Sequence, residues 1–512
     1  MEASVGRKIL LITTDQQRFD ALGCNGGRFA KTPNLDSLAA AGINFSQARS
    51  QSTVCMPARS TILTGQSIRR HGVTSNGIQL PPDQDSLAHV LQGAGYKTAL
   101  IGKAHLDPHA GKTFFENMAA TEETTGPYRG FDHMELCGHT GRAGRSLFHY
   151  PKWLAENHPE FVEGFHEYAV AGAPSNRGWT ETGAPQVADN PIPIALYHTH
   201  WTASRTMDWL DGLVNDADWF CWMSFPDPHH PWDPPREAAQ RFDWRDLPVP
   251  DSYPGSPEKC LEILAEKPRH WTQWYTGEAQ FAFEVPPTFV PAETTADRIR
   301  EVNAMVHAEN ELIDEAIGQV LAYIKGRGWD ADTEIIFTTD HGEFQGDFGM
   351  LFKGPYHIEA LMHVPLIWRP APARGIVSAA VAEPVGHVDI APTICAAAGL
   401  PVPVWMQGAP FPQANGEGCR ERTITEWYDT WDGNTVELQT LYRDGWVLTR
   451  YGATNFYDGT EGELYNLADD PKQWTNLWAD PARQGIKADL LDDLITNLPA
   501  GRDVSLEKVA PV

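Results

Sequence analysis

Two apolar segments of the sequence end alike, in Leu10-Leu11-Ile12-Thr13-Thr14-Asp15-Gln16 and Ile335-Ile336-Phe337-Thr338-Thr339-Asp340-His341. As strands of one parallel sheet they would deliver both carboxylates to the same edge, about 5 Å apart if the strands are neighbours. Two anions that close call for a cation. With an amide and an imidazole beside them the ligand set is mostly hard, which suits Ca²⁺, Mn²⁺ or Mg²⁺ better than a thiolate-loving ion. Either Asp alone could equally cap a following helix. The repetition favours a metal held by Asp15, Gln16, Asp340 and His341.

A second group of residues could supply a nucleophile. In Cys55-Met56-Pro57-Ala58-Arg59, followed by Ser60-Thr61-Ile62-Leu63-Thr64-Gly65, Pro57 suits a first helical position and Gly65 a stop. Cys55 then falls at a helix N-terminus, where amide dipoles lower a thiol pKa and attract anions. A lone cysteine is more often a small buried hydrophobe. Basic residues follow other candidate strands, as Gly102-Lys103-Ala104-His105-Leu106 and Pro228-His229-His230-Pro231, and Lys353 sits in Phe352-Lys353-Gly354.

The C-x-P-x-R pattern resembles the signature of the sulfatase family of the alkaline phosphatase superfamily, in which the cysteine is oxidised to Cα-formylglycine. Taken position by position, the resemblance runs in family order from residue 8 to residue 477. It makes Asp15, Gln16, Asp340 and His341 metal ligands, with the residue derived from Cys55. Lys103 and Lys353 become sulfate-binding lysines, His105 a partner of the formylglycine, and His229 a group that approaches the leaving oxygen. Arg59 would hold the nucleophile or a metal-bound carboxylate. Asn76 lies where the phosphonate monoester hydrolase branch has an active-site asparagine. Glu463-Leu464-Tyr465-Asn466-Leu467 resembles a C-terminal family motif. The Asp-Gln and Asp-His pairs look like the branch of choline-sulfatase-like enzymes and phosphonate monoester hydrolases.

What the resemblance implies is metal-dependent hydrolysis of sulfate monoesters, aryl or other small esters, through a formylglycine gem-diol and a covalent sulfo-enzyme. One divalent ion is implied, Ca²⁺ or Mn²⁺ ahead of Mg²⁺. A formylglycine-generating enzyme is implied as a maturation partner, and a homo-oligomer is expected from the branch. Ala58 replaces the commoner serine of the signature but leaves Pro57 and Arg59. Lys103 and His105 stand where phosphonate hydrolases carry uncharged Tyr and Thr, which points toward sulfate esters. Phosphonate monoester or phosphodiester hydrolysis on the same site is the alternative, because a diester carries the same single negative charge as a sulfate monoester. A non-catalytic metal-binding scaffold is the alternative from another class, disfavoured by the intact set of candidate groups.

The elements that must position these groups follow from periodicity. Short apolar segments at Lys8–Thr14, Tyr96–Ile101, Trp219–Phe225, Glu334–Thr339 and Val364–Trp368 alternate with helical patterns. That is an α/β fold with a mostly parallel sheet flanked by helices, and the resemblance implies that it is alkaline-phosphatase-like. Helices are predicted from Asp36 to Gly42 and from Thr295 to about Lys325, the latter with a long apolar stripe. Residues 131–193 and 234–291 read as insertions over a site, with ordinary surface loops as the alternative. After about residue 400, strand-like pieces at Thr423–Trp427, Val436–Tyr442, Gly445–Arg450 and Thr454–Tyr457 predict a small antiparallel sheet. The division is a catalytic domain over 1–400 and a C-terminal subdomain over 401–512.

Composition sets the outer limits. Of 512 residues, 42% are hydrophobic and 21% charged, ordinary for a globular chain. With 67 acidic against 40 basic residues the net charge is -27, which repels nucleic acid and anionic membranes. The apolar run at Lys8–Ile12 turns polar at Thr13, too soon for a signal-peptide core, and predicts a cytoplasmic protein. Seven scattered cysteines make poor material for a disulfide framework, so Cys55 is the one that stands out. His71, His198, His200, His230 and His357 could line a substrate pocket, His198 and His200 foremost.

Overall fold

The computed structural model describes residues 7–109, 113–138, 148–161, 181–188, 190–281, 285–286, 289–418 and 420–511. Cys419 and much of the first predicted insertion lie outside the described residues. In chain order the strands are β1 (Lys8–Thr14), β2 (Ile43–Phe45), β3 (Ala48–Arg49), β4 (Lys97–Gly102), β5 (His133–Leu136), β6 (Trp219–Ser224) and β7 (Thr333–Thr339). They continue with β8 (Leu366–Arg369), β9 (Ala379–Val381), β10 (Val385–Gly386), β11 (Thr423–Trp431), β12 (Asn434–Arg443), β13 (Trp446–Tyr451) and β14 (Gly462–Asn466).

Eight strands form the main sheet in the order β5-β4-β6-β1-β7-β8-β2-β9. The first five run parallel, and β8 is antiparallel to both β7 and β2. All five predicted strands exist within one or two residues of their expected ends. The short β2, β5 and β9 carry too few residues to show a period and were not anticipated.

Burial on both faces explains why β1 reads as a continuous apolar run rather than an alternating one. Its Ile9 and Leu11 pack on one side with Met56, Ile62 and Ile394, while Leu10 and Ile12 pack on the other with Ile313, Ile317 and Val320. The helices responsible are α1 (Pro33–Ala41), α2 (Cys55–Thr64), α3 (His198–Asp211), α4 (Ala296–Gly326) and α5 (Ile390–Ala397). The predicted helices are present as α1, which begins on Pro33, and α4, whose first turn is capped by the Thr295 hydroxyl accepting from the Arg298 N–H at 3.3 Å.

The C-terminal sheet is antiparallel, in the order β11-β12-β13-β14. Its fourth strand is Gly462–Asn466, not Thr454–Tyr457 as the sequence suggested. There the Thr454 N–H donates to the Tyr457 carbonyl at 2.8 Å and the Thr454 hydroxyl accepts from the Phe456 N–H, so the segment closes a turn on itself. Helix α6 (Gln484–Asn497) covers one face of this sheet through Leu490 and Leu494. From the other face Leu438, Tyr451 and Trp427 share a core with Val54, Phe352 and Tyr356. The antiparallel sheet thus buttresses the segments that carry Cys55 and Lys353.

Candidate active site

The parallel register decides the site. Thr14 lies opposite Thr339 on the paired β1 and β7, and Thr13 opposite Ser224 on β6. The three strands therefore release Asp15, Asp340 and Ser224 at one edge. The chain turns away through Gln16, which adopts φ 64°, and the Gln16 N–H donates to Asp340 Oδ1 at 3.1 Å. A fourth parallel strand, β4, ends in Gly102 at φ 105°, where a Cβ would lie 1.8 Å from the Ser224 carbonyl oxygen. Only glycine lets that strand end pass so close to β6, and it sends Lys103 into the same edge.

Helix α2 brings the nucleophile candidate. It begins at Cys55, two residues earlier than Pro57 implied, and the proline sits within the first turn, where its missing N–H costs nothing. Val54 offers no side-chain cap; the Met56 N–H is met instead by Asn76 Oδ1 at 3.0 Å. All ten residues of the helix are buried, and Gly65 ends it in the left-handed conformation with its N–H on the Thr61 carbonyl at 2.8 Å.

At the centre, one ligand atom from each of Asp15, Cys55, Asp340 and His341 lies within 4.8 Å of the others, and all four residues are buried. Cys55 Sγ is 3.3 Å from His341 Nε2 and receives a hydrogen bond from Lys353 Nζ at 3.2 Å. Lys353 also donates to Gln16 Oε1 at 2.8 Å. Lys103 pairs with Asp15 Oδ2. Arg59 donates from Nε to Asp340 Oδ2 at 2.8 Å, lies 3.4 Å from Asp15 Oδ2, and binds the Lys103 carbonyl and the Ser224 hydroxyl. Burial works against its charge, but Asp340 and Asp15 outweigh it and hold the guanidinium above its ordinary pKa.

His341 is one of the four residues that could hold a metal ion. Its Nδ1 donates to the Gly342 carbonyl at 2.9 Å, leaving the Nε2 lone pair toward the carboxylates. Burial pulls its pKa down to about 4, with Asp340 acting in the opposite sense. Two carboxylates and one imidazole fit a divalent ion. The thiol is the one soft member of an otherwise hard set, so an oxygen in its place would complete that set better.

Asn76 and His229 reach the centre through neighbours, and His105 follows Lys103 by two residues on the same loop. Asn76 caps Met56, as described. His105, at φ 53°, stacks on His109 with ring centroids 3.8 Å apart. His229 stacks on His230 at 4.1 Å, and His230 Nδ1 meets Gln16 Nε2 at 3.4 Å. Among the further histidines, His230 is thus at the site. His198 instead pairs with Asp227 at 2.6 Å, His71 with Thr61 at 3.1 Å, and His357 with Thr440 at 2.6 Å.

Sequence reasoning missed three supporting residues. Ser224, the polar end of β6, holds Arg59. Asp227 accepts from His198 and Thr199 while its carbonyl takes the Asp15 N–H at 3.1 Å, anchoring the Pro228–Pro231 loop to the centre. Glu116 accepts the N–H groups of His105, Leu106 and Asp107 at 3.0, 2.8 and 2.9 Å. Burial favours its neutral form, but hydrogen bonds from His109, Tyr128 and the backbone prevail and keep its pKa low. Strand-end polarity could have flagged Ser224. Nothing local marks Glu116.

A doubly flanked sheet thus brings a buried carboxylate pair, a cysteine-headed helix and converging basic groups to one edge. The Sulfatase family model matches residues 7–400, and a model described as the C-terminal part of N-sulphoglucosamine sulphohydrolase matches residues 346–498. The chain belongs to the sulfatase family. It is 26% identical to an uncharacterised sulfatase of Escherichia coli K12, over 96% of this chain and 87% of that protein. It is also 26% identical to an arylsulfatase of Clostridium perfringens, over 92% of this chain and 89% of that one. The solved phosphonate monoester hydrolase of Agrobacterium radiobacter shares the fold, with a TM-score of 0.75 at 24% identity, over 96% of this chain and 95% of that one. Among the described residues, no helix is long and apolar enough to cross a membrane.

Proposed function

We propose that this protein hydrolyses small sulfate monoesters, aryl esters among them, with a nucleophile made from Cys55 by oxidation to formylglycine. The observation that carries the reading is the position of Cys55 Sγ, buried among Asp15, Asp340 and His341 and 3.2 Å from Lys353 Nζ. A cysteine of purely structural role gains nothing from such company. Oxidation would put a hydrated aldehyde's hydroxyl where the thiol stands. A bound divalent ion, Ca²⁺ or Mn²⁺, supplies Lewis acidity toward the ester's oxygens and the nucleophilic hydroxyl.

The chain's own residues account for the rest. Lys103 and Lys353 converge from two strand-end loops to hold anionic oxygens, and their basic groups stabilise charge that builds in a loose transition state. Arg59 fixes the relative position of Asp15 and Asp340, so the ligand edge is set before substrate arrives. His229, on a loop tied to the centre by Asp227, would give a proton to the departing oxygen, and His105 would take one from the nucleophile. Asn76 orients the first turn beneath Cys55. Maturation calls on a formylglycine-generating enzyme as partner.

Phosphonate monoester hydrolysis is the second reading, favoured by the fold shared with such a hydrolase. Lys103 and His105 speak for sulfate. Mass spectrometry of the peptide containing residue 55 tests the nucleophile: an intact, fully alkylatable thiol in active protein refutes it. A panel of aryl sulfate and aryl phosphonate esters, compared by kcat/KM, ranks the two reactions.

A further inference from the structure

Asn76, which meets the first turn of α2 at the Met56 N–H, lies in a turn outside any helix or strand. The next residue touches the same helix, the Gly77 N–H reaching Met56 Sδ at 3.1 Å. A turn has no ladder of its own to hold it, so its partners decide how firmly it sits. Behind it runs the C-terminal tail, residues 501–511, none of it fully buried.

The tail grips this segment at both ends. At one end the Arg502 N–H donates to the Arg69 carbonyl at 2.9 Å, and Arg502 Nη1 donates to the His71 carbonyl at 3.2 Å and to Gln84 Oε1 at 3.0 Å. At the other end the Gly77 carbonyl accepts the Val509 and Ala510 N–H groups at 2.9 and 3.3 Å. The chains meet closely there: a Cβ on Gly77 would lie 1.9 Å from the Ala510 carbonyl oxygen. Between the two ends Leu506 packs on the core that holds Met56, Val73 and Ile78.

Asn76 is therefore fixed through both of its chain neighbours. Gly77 is one. The other is Ser75, whose hydroxyl donates to Asp429 on β11. Lys508 Nζ donates to both oxygens of that carboxylate, at 2.7 and 2.9 Å. A cavity of about 540 Å³ lies between the tail and β11, with Lys508 and Asp429 in its wall. Burial works against the Asp429 charge, and Lys508 is the strongest influence in its favour. The ammonium thus keeps a charged acceptor in place for Ser75, and a charged acceptor makes the stronger bond.

We propose, on the reading that residue 55 supplies the nucleophile, that Lys508 and Asp429 are positioning residues for the reaction. The tail straps the turn of Asn76 against the first turn of α2 and so fixes where the side chain of residue 55 stands. Both residues act through Ser75, Asn76 and the Met56 N–H. Precision at that point matters, because a displacement of about 1 Å at a reacting group can cost roughly a hundredfold in rate.

The test uses the full chain with Lys508→Met, which keeps the side-chain length and removes the charge, and Lys508→Arg, which keeps the charge. Lys508→Met is expected to lower kcat for an aryl sulfate about tenfold, with KM within about twofold of the parent. Lys508→Arg should recover most of that loss. Hydrogen–deuterium exchange at the Met56 and Gly77 amides, read by mass spectrometry of the peptides that contain them, is expected to quicken at least about tenfold in Lys508→Met. Asp429→Asn should repeat both effects. The Lys508 side chain is 27% exposed, so its variant remains informative even if Asp429→Asn misfolds. The exchange measurement needs no turnover: a parent that hydrolyses no sulfate ester removes the proposed activity itself, and exchange then decides alone whether the tail straps the turn. The proposal is overturned if exchange in Lys508→Met matches the parent, if exchange quickens while kcat holds, if KM rises in place of the fall in kcat, or if Lys508→Arg behaves as Lys508→Met does.

Discussion

Asp340 accepts the backbone N–H of Gln16 at 3.1 Å, across 324 residues of sequence. With the Asp340 N–H on the Thr14 carbonyl at 3.3 Å and the Gln17 N–H on the Thr339 hydroxyl at 3.1 Å, that bond ties the end of β1 to the end of β7. Arg59 locks the same edge from below through both carboxylates.

Replacing Arg59 by Leu should therefore be severe. It removes the cation that faces two fully buried carboxylates, and breaking a buried pair by deleting one partner costs roughly 3–5 kcal/mol. A marked fall in melting temperature is expected together with loss of hydrolysis, and Arg59→Lys should recover part of the stability. Unchanged thermal unfolding in Arg59→Leu would contradict the bracing role.

Glu116 offers a milder test. Glu116→Ala leaves three N–H groups of the Lys103–Asp107 loop without their acceptor, and His105 loses its fixed position. A fall in kcat of roughly tenfold to a hundredfold is expected, as for other orienting partners, with circular dichroism unchanged. A change in KM alone would show that the loop binds substrate without orienting the chemistry.

Metal removal should be visible without any substrate. A chelator is expected to abolish hydrolysis and lower the melting temperature. Ion at a hundredfold excess over its Kd should restore about 2.7 kcal/mol of stability. Calcium and manganese added separately, read by thermal unfolding and activity, identify the ion. A chelated protein that melts as before would argue against a cation at Asp15 and Asp340.

The fold also predicts an acid limit. Burial lowers the pKa of His71, His270 and His357 from 6.5 to about 3. Their folded values lie below the unfolded one, so the unfolded chain binds more protons between those limits. Stability is full above pH 6.5 and declines as pH falls toward 3, by up to about 1.4 kcal/mol per unit for each histidine. Urea midpoints should be flat from pH 8 to 7 and drop steeply by pH 5. His270→Phe should shallow that slope; a midpoint constant down to pH 5 would refute the account.

Much of this centre was legible before any folding was considered. The matched ends at Asp15 and Asp340 announced a common edge because parallel strands with a two-residue period leave little choice of where a terminal side chain emerges. The motif around Cys55 and the long stripe of α4 were equally local, each decided by residues within a few turns. What only the tertiary structure decided depends on partners distant in sequence. The turn at Thr454–Tyr457 and the strand at Gly462–Asn466 both carry strand-like side chains, and only the pairing with β13 chose between them. Asn76 caps a helix it does not belong to, Glu116 gathers the N–H groups of His105, Leu106 and Asp107, and Ser224 meets Arg59 across 165 residues. Propensity and spacing act over a turn or a strand; satisfying a buried polar group is a condition on the whole packed interior.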